Sequence, residues 1–182
     1  MNTTSSLFNR KPWQLLVLAL VVSAIPLPAT TQTTDWEPMG DYRYVYRMFF
    51  KLYDATLYTT PGSSADQVIN ADTNFKLHFE YSRSIEKSII LQSAETILQK
   101  NLTNAELDSI RSKVARLNEA YTSVDKGDRS ALRYESGIGT TLSINGQDVL
   151  TIEGQEFARL YFKIWLGENP ISFTMKSNLL GL

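Results

Sequence analysis

The order of patterns along this chain predicts an α+β domain built on an antiparallel sheet. Three observations carry that prediction. Strand-type composition with strict alternation comes first, two stripes at helical spacing follow, and an Asn-Gly hairpin signal with further helical runs closes the chain.

Residues 41–60 (DYRYVYRMFFKLYDATLYTT) are rich in Tyr, Phe, Val and Thr, the composition of strands. Pro61-Gly62 ends that run as a turn. In residues 75–82 (FKLHFEYS), Phe75, Leu77, Phe79 and Tyr81 face one way while Lys76, His78 and Glu80 face the other. That is a half-buried strand with one wet face. Ile85, Ile89, Ile90, Ile97 and Leu98 then recur at helix period, with Ser84 as the expected cap and a break at Asn101-Leu102. Thr103 and Glu106 form a capping box ahead of the stripe Leu107, Ile110, Val114, Leu117 and Tyr121. Together these helices are expected to form a hairpin over one sheet face.

Strands return after Gly127-Asp128, where Leu132 and Tyr134 alternate with Arg133 and Glu135. Residues 140–144 and 149–152 flank Asn145-Gly146, a pair that supplies the positive φ angles of a tight hairpin. From Glu156 to Leu166, Phe157, Leu160, Tyr161, Ile164 and Trp165 lie at helical spacing, and Gly167 stops the run. Asn169-Pro170 is read as the start of a last short helix that Gly181 ends. No internal repeat is visible.

The first 29 residues read as an address. Arg10-Lys11 precede the uncharged run 13–25 (WQLLVLALVVSAI), and Pro26, Pro28 and a Thr-rich stretch follow. A basic start and a short apolar run describe a signal peptide, and the run falls short of the roughly 20 residues of a membrane span. Cleavage is expected after Ala29, with Ala24 as the alternative site, which leaves 30–182 as a periplasmic or secreted domain with no stable membrane span. An uncleaved signal anchor is the competing reading.

Composition excludes several functions. A net charge of -1 over 182 residues, with no long run of one sign, gives no basic stripe for nucleic acid. With no cysteine and one histidine, no disulfide framework, thiol nucleophile or zinc site is expected. His78 reads as a surface histidine with no orienting partner. Asp125 and Asp128 read as turn formers and not as calcium ligands. The glycines of GIGTTLSINGQ lead into a hairpin, so they do not cradle phosphate. No metal and no cofactor are expected.

Two arginines hold most of the remaining interest. If the strand over 41–60 is unbroken, Arg43 and Arg47 share a face with Tyr53, while Tyr44, Tyr46, Met48 and Phe50 share the other. Either both arginines are solvated on a sheet edge, or one lies beneath the helices and pairs with a ligand carboxylate or phenolate.

Several stretches together resemble the bacterial, exported branch of the chalcone isomerase-like family. They are FFKLYDATLYTTPG (49–62), FEYSRSI (79–85), VDKGDR (124–129), GIGTTLSINGQ (137–147), FARLYFKIWLGENPIS (157–172) and LLG (179–181), in order over nearly the whole mature chain. The resemblance implies an open-faced sandwich, a large antiparallel sheet covered by a layer of helices. The family it implies holds plant enzymes that close a chalcone to a flavanone without a cofactor, members that bind fatty acids, and exported bacterial members of obscure role. The plant isomerases use an arginine, a threonine, a tyrosine and an asparagine. The matching positions here are Arg43, Tyr53, Glu86 and Ser93, so one of the four roles is kept. Arg43, Tyr53 and Arg47 are therefore the candidate ligand-binding residues. A non-catalytic binder of a small amphipathic or fatty-acid-like ligand is the expected function. The alternatives are an isomerase of the chalcone isomerase type and a ligand-free structural or interaction protein of the periplasm.

Overall fold

Six strands lie side by side in chain order, every neighbouring pair antiparallel. They are β1 (Glu37–Tyr46), β2 (Phe50–Thr59), β3 (Phe75–Tyr81), β4 (Arg129–Glu135), β5 (Gly139–Ile144) and β6 (Gln147–Ile152). This computed structural model describes Met1, residues 34–46 and residues 49–182. The segment read as a signal peptide and the candidate Arg47 lie outside the described residues.

Alternation decides which face meets the helices. Phe75, Leu77, Phe79 and Tyr81 are all buried, as their spacing requires, and so are Tyr53, Ala55 and Leu57 opposite them on β2. The other face carries ion pairs, Glu80 with Arg129 at 3.1 Å and Arg133 with Asp148 at 3.0 Å. Asn145 (φ 50) and Gly146 (φ 81) make the tight turn from β5 to β6 that their sequence announces.

The helices are α1 (Ala65–Ile69), α2 (Lys87–Asn101), α3 (Asn104–Ala120), α4 (Gln155–Tyr161), α5 (Lys163–Leu166) and α6 (Phe173–Leu180). The capping box of Thr103 and Glu106 opens α3, which buries Ile110 and Leu117. Gly181 closes α6 in the left-handed conformation. Helix α6 packs on β1, α4 on β5 and α3 on β6. At Gly40 a Cβ would lie 2.0 Å from the Asn178 carbonyl oxygen, so only glycine lets α6 settle on β1.

Four local expectations are corrected, and one helix is added. The run 41–60 is divided between the two strands of a hairpin, so the faces that follow for one unbroken strand do not hold. Ser84 does not cap α2: its hydroxyl donates to Asp125 at 2.8 Å, and Ile85 pairs with Val124 as a short bridge, so the helix starts two residues later. The run 156–166 divides at Phe162, which lets Phe162 meet Phe75 at 4.6 Å while Trp165 meets Phe79 at 5.5 Å between ring centroids. The last helix starts after Ser172, whose side chain caps Met175, because Asn169 is engaged with Asn101 instead. Helix α1, with its own capping box at Ser64 and Gln67, had no expectation at all.

Candidate functional site

Helix α2 stands off the sheet. It is held at both ends and packed weakly between them. At its start, the Lys87 N–H donates to the Ser123 hydroxyl at 3.0 Å, and Ser123 donates to Glu86 at 3.2 Å. At its end, Asn101 donates to the Asn169 carbonyl at 2.7 Å and accepts from its N–H at 2.8 Å. Of its fifteen residues only Leu98 is buried. Ile89, Ile90, Ala94 and Ile97 line a cavity of about 740 Å³.

The sheet supplies the floor through Tyr53, Phe79 and Tyr81, and the far wall is Tyr161, Ile164 and Trp165. Ile90, Ser93, Ala94 and Ile97 roof it from α2. Tyr46 and Ile89 line it while remaining 47% and 54% exposed, so the cavity opens to solvent between the β1–β2 hairpin and the first turn of α2. The floor is rigid aromatic packing. Tyr44 stacks on Tyr53 at 5.0 Å, and Phe79 meets the Tyr53 ring edge-on at 5.3 Å.

Its polar groups are mainly phenols. Burial pushes the Tyr53 hydroxyl far above its ordinary range, and Tyr44, Tyr81 and Tyr42 push it further. Burial does the same to Tyr121, helped by Tyr161 and Tyr81, and to Tyr161, helped by Tyr81. Burial also raises Tyr81, against the hydrogen bond it shares with the Ser130 hydroxyl at 3.0 Å. All four therefore stand as neutral groups able to donate and accept hydrogen bonds.

Of the two candidates among the described residues, Arg43 and Tyr53, the structure brings Tyr53 to the cavity. Arg43 is corrected to the opposite face. The hairpin register sets Arg43 against Asp54 and Tyr44 against Tyr53. Opposed residues of an antiparallel pair point the same way, so Tyr44 joins Tyr53 inside and Arg43 joins Asp54 outside. Its Nε donates to Asp54 at 2.9 Å, and its side chain is 66% exposed. Burial alone would raise the Asp54 carboxyl, but hydrogen bonds from Lys51 and Arg43 and their charges hold it below its usual value. The face assignment of Tyr44 and Tyr46 fails for the same reason, since both line the cavity.

The three positions that the resemblance matches to the isomerase threonine, tyrosine and asparagine, Tyr53, Glu86 and Ser93, all line the cavity. The α2 roof went unassigned in the sequence. Its signal was present: Ser93-Ala94 places two small residues inside an isoleucine stripe, leaving room beneath the helix. Asp125 and Asp128 serve a turn, with Asp128 accepting from the Asp125 N–H at 2.7 Å and from Asn145 at 3.0 Å. Among the described residues no group of three His, Cys, Asp or Glu is placed to hold a metal ion. Nor is any described helix long and apolar enough to cross a membrane.

Comparison with known proteins agrees with this architecture. No curated protein matches the chain. Among solved structures, the Arabidopsis thaliana fatty-acid binding protein AtFAP1 superposes with a TM-score of 0.57 at 12% identity, over 81% of this chain and 85% of that one. At that identity the likeness is one of fold. The profile of the chalcone isomerase-like family matches residues 39–181. By that match, over most of its length and with the fold to go with it, the chain belongs to the chalcone isomerase-like family.

Proposed function

We propose that this protein binds a small amphipathic molecule in the cavity beneath α2 and does not convert it. The observation that carries the reading is the cavity itself: about 740 Å³ of mainly apolar space that the core leaves unfilled. That volume lies within the range of small-molecule sites, roughly 300–1,000 Å³. A ligand-free structural role calls instead for a filled interior. The fold neighbour named as a fatty-acid binding protein supports the same reading.

Chalcone closure needs a cation for the phenolate and donors for the enolate. Phenol donors are present, but the described lining contains no lysine or arginine, and Tyr53, Glu86 and Ser93 stand where the family chemistry would sit. Cyclisation of a chalcone is therefore expected at no more than its spontaneous rate, which a spectrophotometric assay checks. Binding is tested by native mass spectrometry of protein purified without detergent. The reading expects a stoichiometric apolar adduct released on unfolding, and repeated isolation of adduct-free protein that takes up no added amphiphile would defeat it. Export belongs to the same proposal: the basic start and apolar run of the first 29 residues support it. The mature N-terminus is expected near Thr30, and intact Met1 in a membrane fraction would argue for an anchor.

A further inference from the structure

The reading above leaves the head group of the ligand open, and the charges around the cavity constrain it. Glu86 is the one charged residue of the described lining, and it stands beside the opening. An anionic head group would meet a like charge there. The cations nearby on the described chain are turned to other partners. Arg43 and Lys51 hold Asp54 on the far face of the sheet. Lys87 donates to the Glu119 carbonyl at 3.2 Å, and Arg83 lies over the Phe50 ring at 4.8 Å.

The other polar groups of the described lining are neutral: tyrosine, serine and threonine hydroxyls, the Gln92 amide and the Trp165 indole. Tyr81 already shares a hydrogen bond with Ser130. Tyr53 sits in the floor between Tyr44 and Phe79 and presents a phenol to the cavity. A phenol both donates and accepts, so it satisfies an alcohol or a carbonyl without any net charge. A carboxylate taken into the same place loses its water and gains no counter-charge from the described residues, and such a group neutralises instead.

Resting on the binding function proposed above, we infer that the cavity selects an uncharged amphiphile, one whose head group is a hydroxyl or carbonyl, over the corresponding carboxylate. A fatty acid would then enter as its protonated form. Its apparent affinity would fall by about tenfold for each pH unit above the pKa of the free acid, while an alcohol of the same length would show no such slope.

The test is a calorimetric titration of the full chain with tetradecan-1-ol and with tetradecanoate, at two pH values on either side of neutrality. The inference expects the alcohol to bind at least about tenfold tighter at the higher pH, with an affinity independent of pH, while tetradecanoate weakens. Tetradecanoate binding as tightly as the alcohol at the higher pH would overturn the inference and leave the binding function standing. In that event an Arg47→Ala variant that loses only the carboxylate would identify the cation responsible. Failure of both probes to bind would remove the binding function and this inference with it.

Discussion

Trp165 belongs to two environments. One side of its indole packs on Phe79, Tyr161 and Phe162, and the other lines the cavity. Phe157 has no such division: it is fully buried and stacks on Tyr161 at 5.2 Å. Truncating Phe157 to Ala is therefore expected to cost about 3–5 kcal/mol, read from denaturant melts. Ile89 supplies the contrast, being 54% exposed at the opening. Ile89→Ala is expected to change stability by no more than about 0.5 kcal/mol, while weakening any amphiphile that uses the entrance. Arg43 belongs to the outer surface, and its exposed pair with Asp54 is worth at most about 1 kcal/mol. Arg43→Ala is thus expected to leave amphiphile affinity unchanged, and a loss of binding on a titration would return this residue to the site.

Among the elements, the strands and α3 were legible in the sequence because their patterns are strong. Strict alternation over Phe75–Tyr81 and the capping box at Thr103 each admit one local solution. The β1–β2 hairpin was not legible. Its turn falls within an unbroken run of strand formers, without the Gly-rich pair that marks the β5–β6 turn. One misplaced turn reverses the face of every residue before it, which is why Arg43 and Tyr44 exchanged places. Helix α2 departs from its sequence pattern in another way. Its isoleucines repeat as a core stripe does, yet Ile90 and Ile97 are only partly buried and Ile89 is exposed, because they border an open cavity. Helical period identifies an apolar face and says nothing of what lies opposite it. The contact between α6 and β1 is testable at one atom. Gly40→Ala places its Cβ against the Asn178 carbonyl and is expected to destabilise the fold by about 1–3 kcal/mol in a thermal or denaturant melt.

The domain over residues 34–182 is an open-faced sandwich that closes its core at α3–α6 and leaves it open under α2. Its buried phenols give it a defined alkaline limit. Tyr53, Tyr121 and Tyr161 all have folded-state pKa values raised above the ordinary 10.0, chiefly by burial. Above that pH the unfolded chain binds fewer protons than the folded one, so stability falls as pH rises. Their contribution is fully present below about pH 10 and is lost progressively above it. A series of denaturant melts against pH should show a plateau and then a decline from that point. A flat profile through the alkaline range would mean that these tyrosines are not shielded from water.

Family membership leaves open whether the space beneath α2 is used, and a variant that fills it decides the matter. Ala94 faces the cavity from the middle of α2. In Ala94→Trp the indole would occupy the ligand's volume without displacing the sheet. The measurement is equilibrium binding of tetradecan-1-ol to wild type and Ala94→Trp, with circular dichroism confirming that both are folded. Saturable one-to-one binding by the wild type, lost in the folded variant, is the result expected if the cavity is the site. Undiminished binding by the variant, or no saturable binding by the wild type, would contradict it.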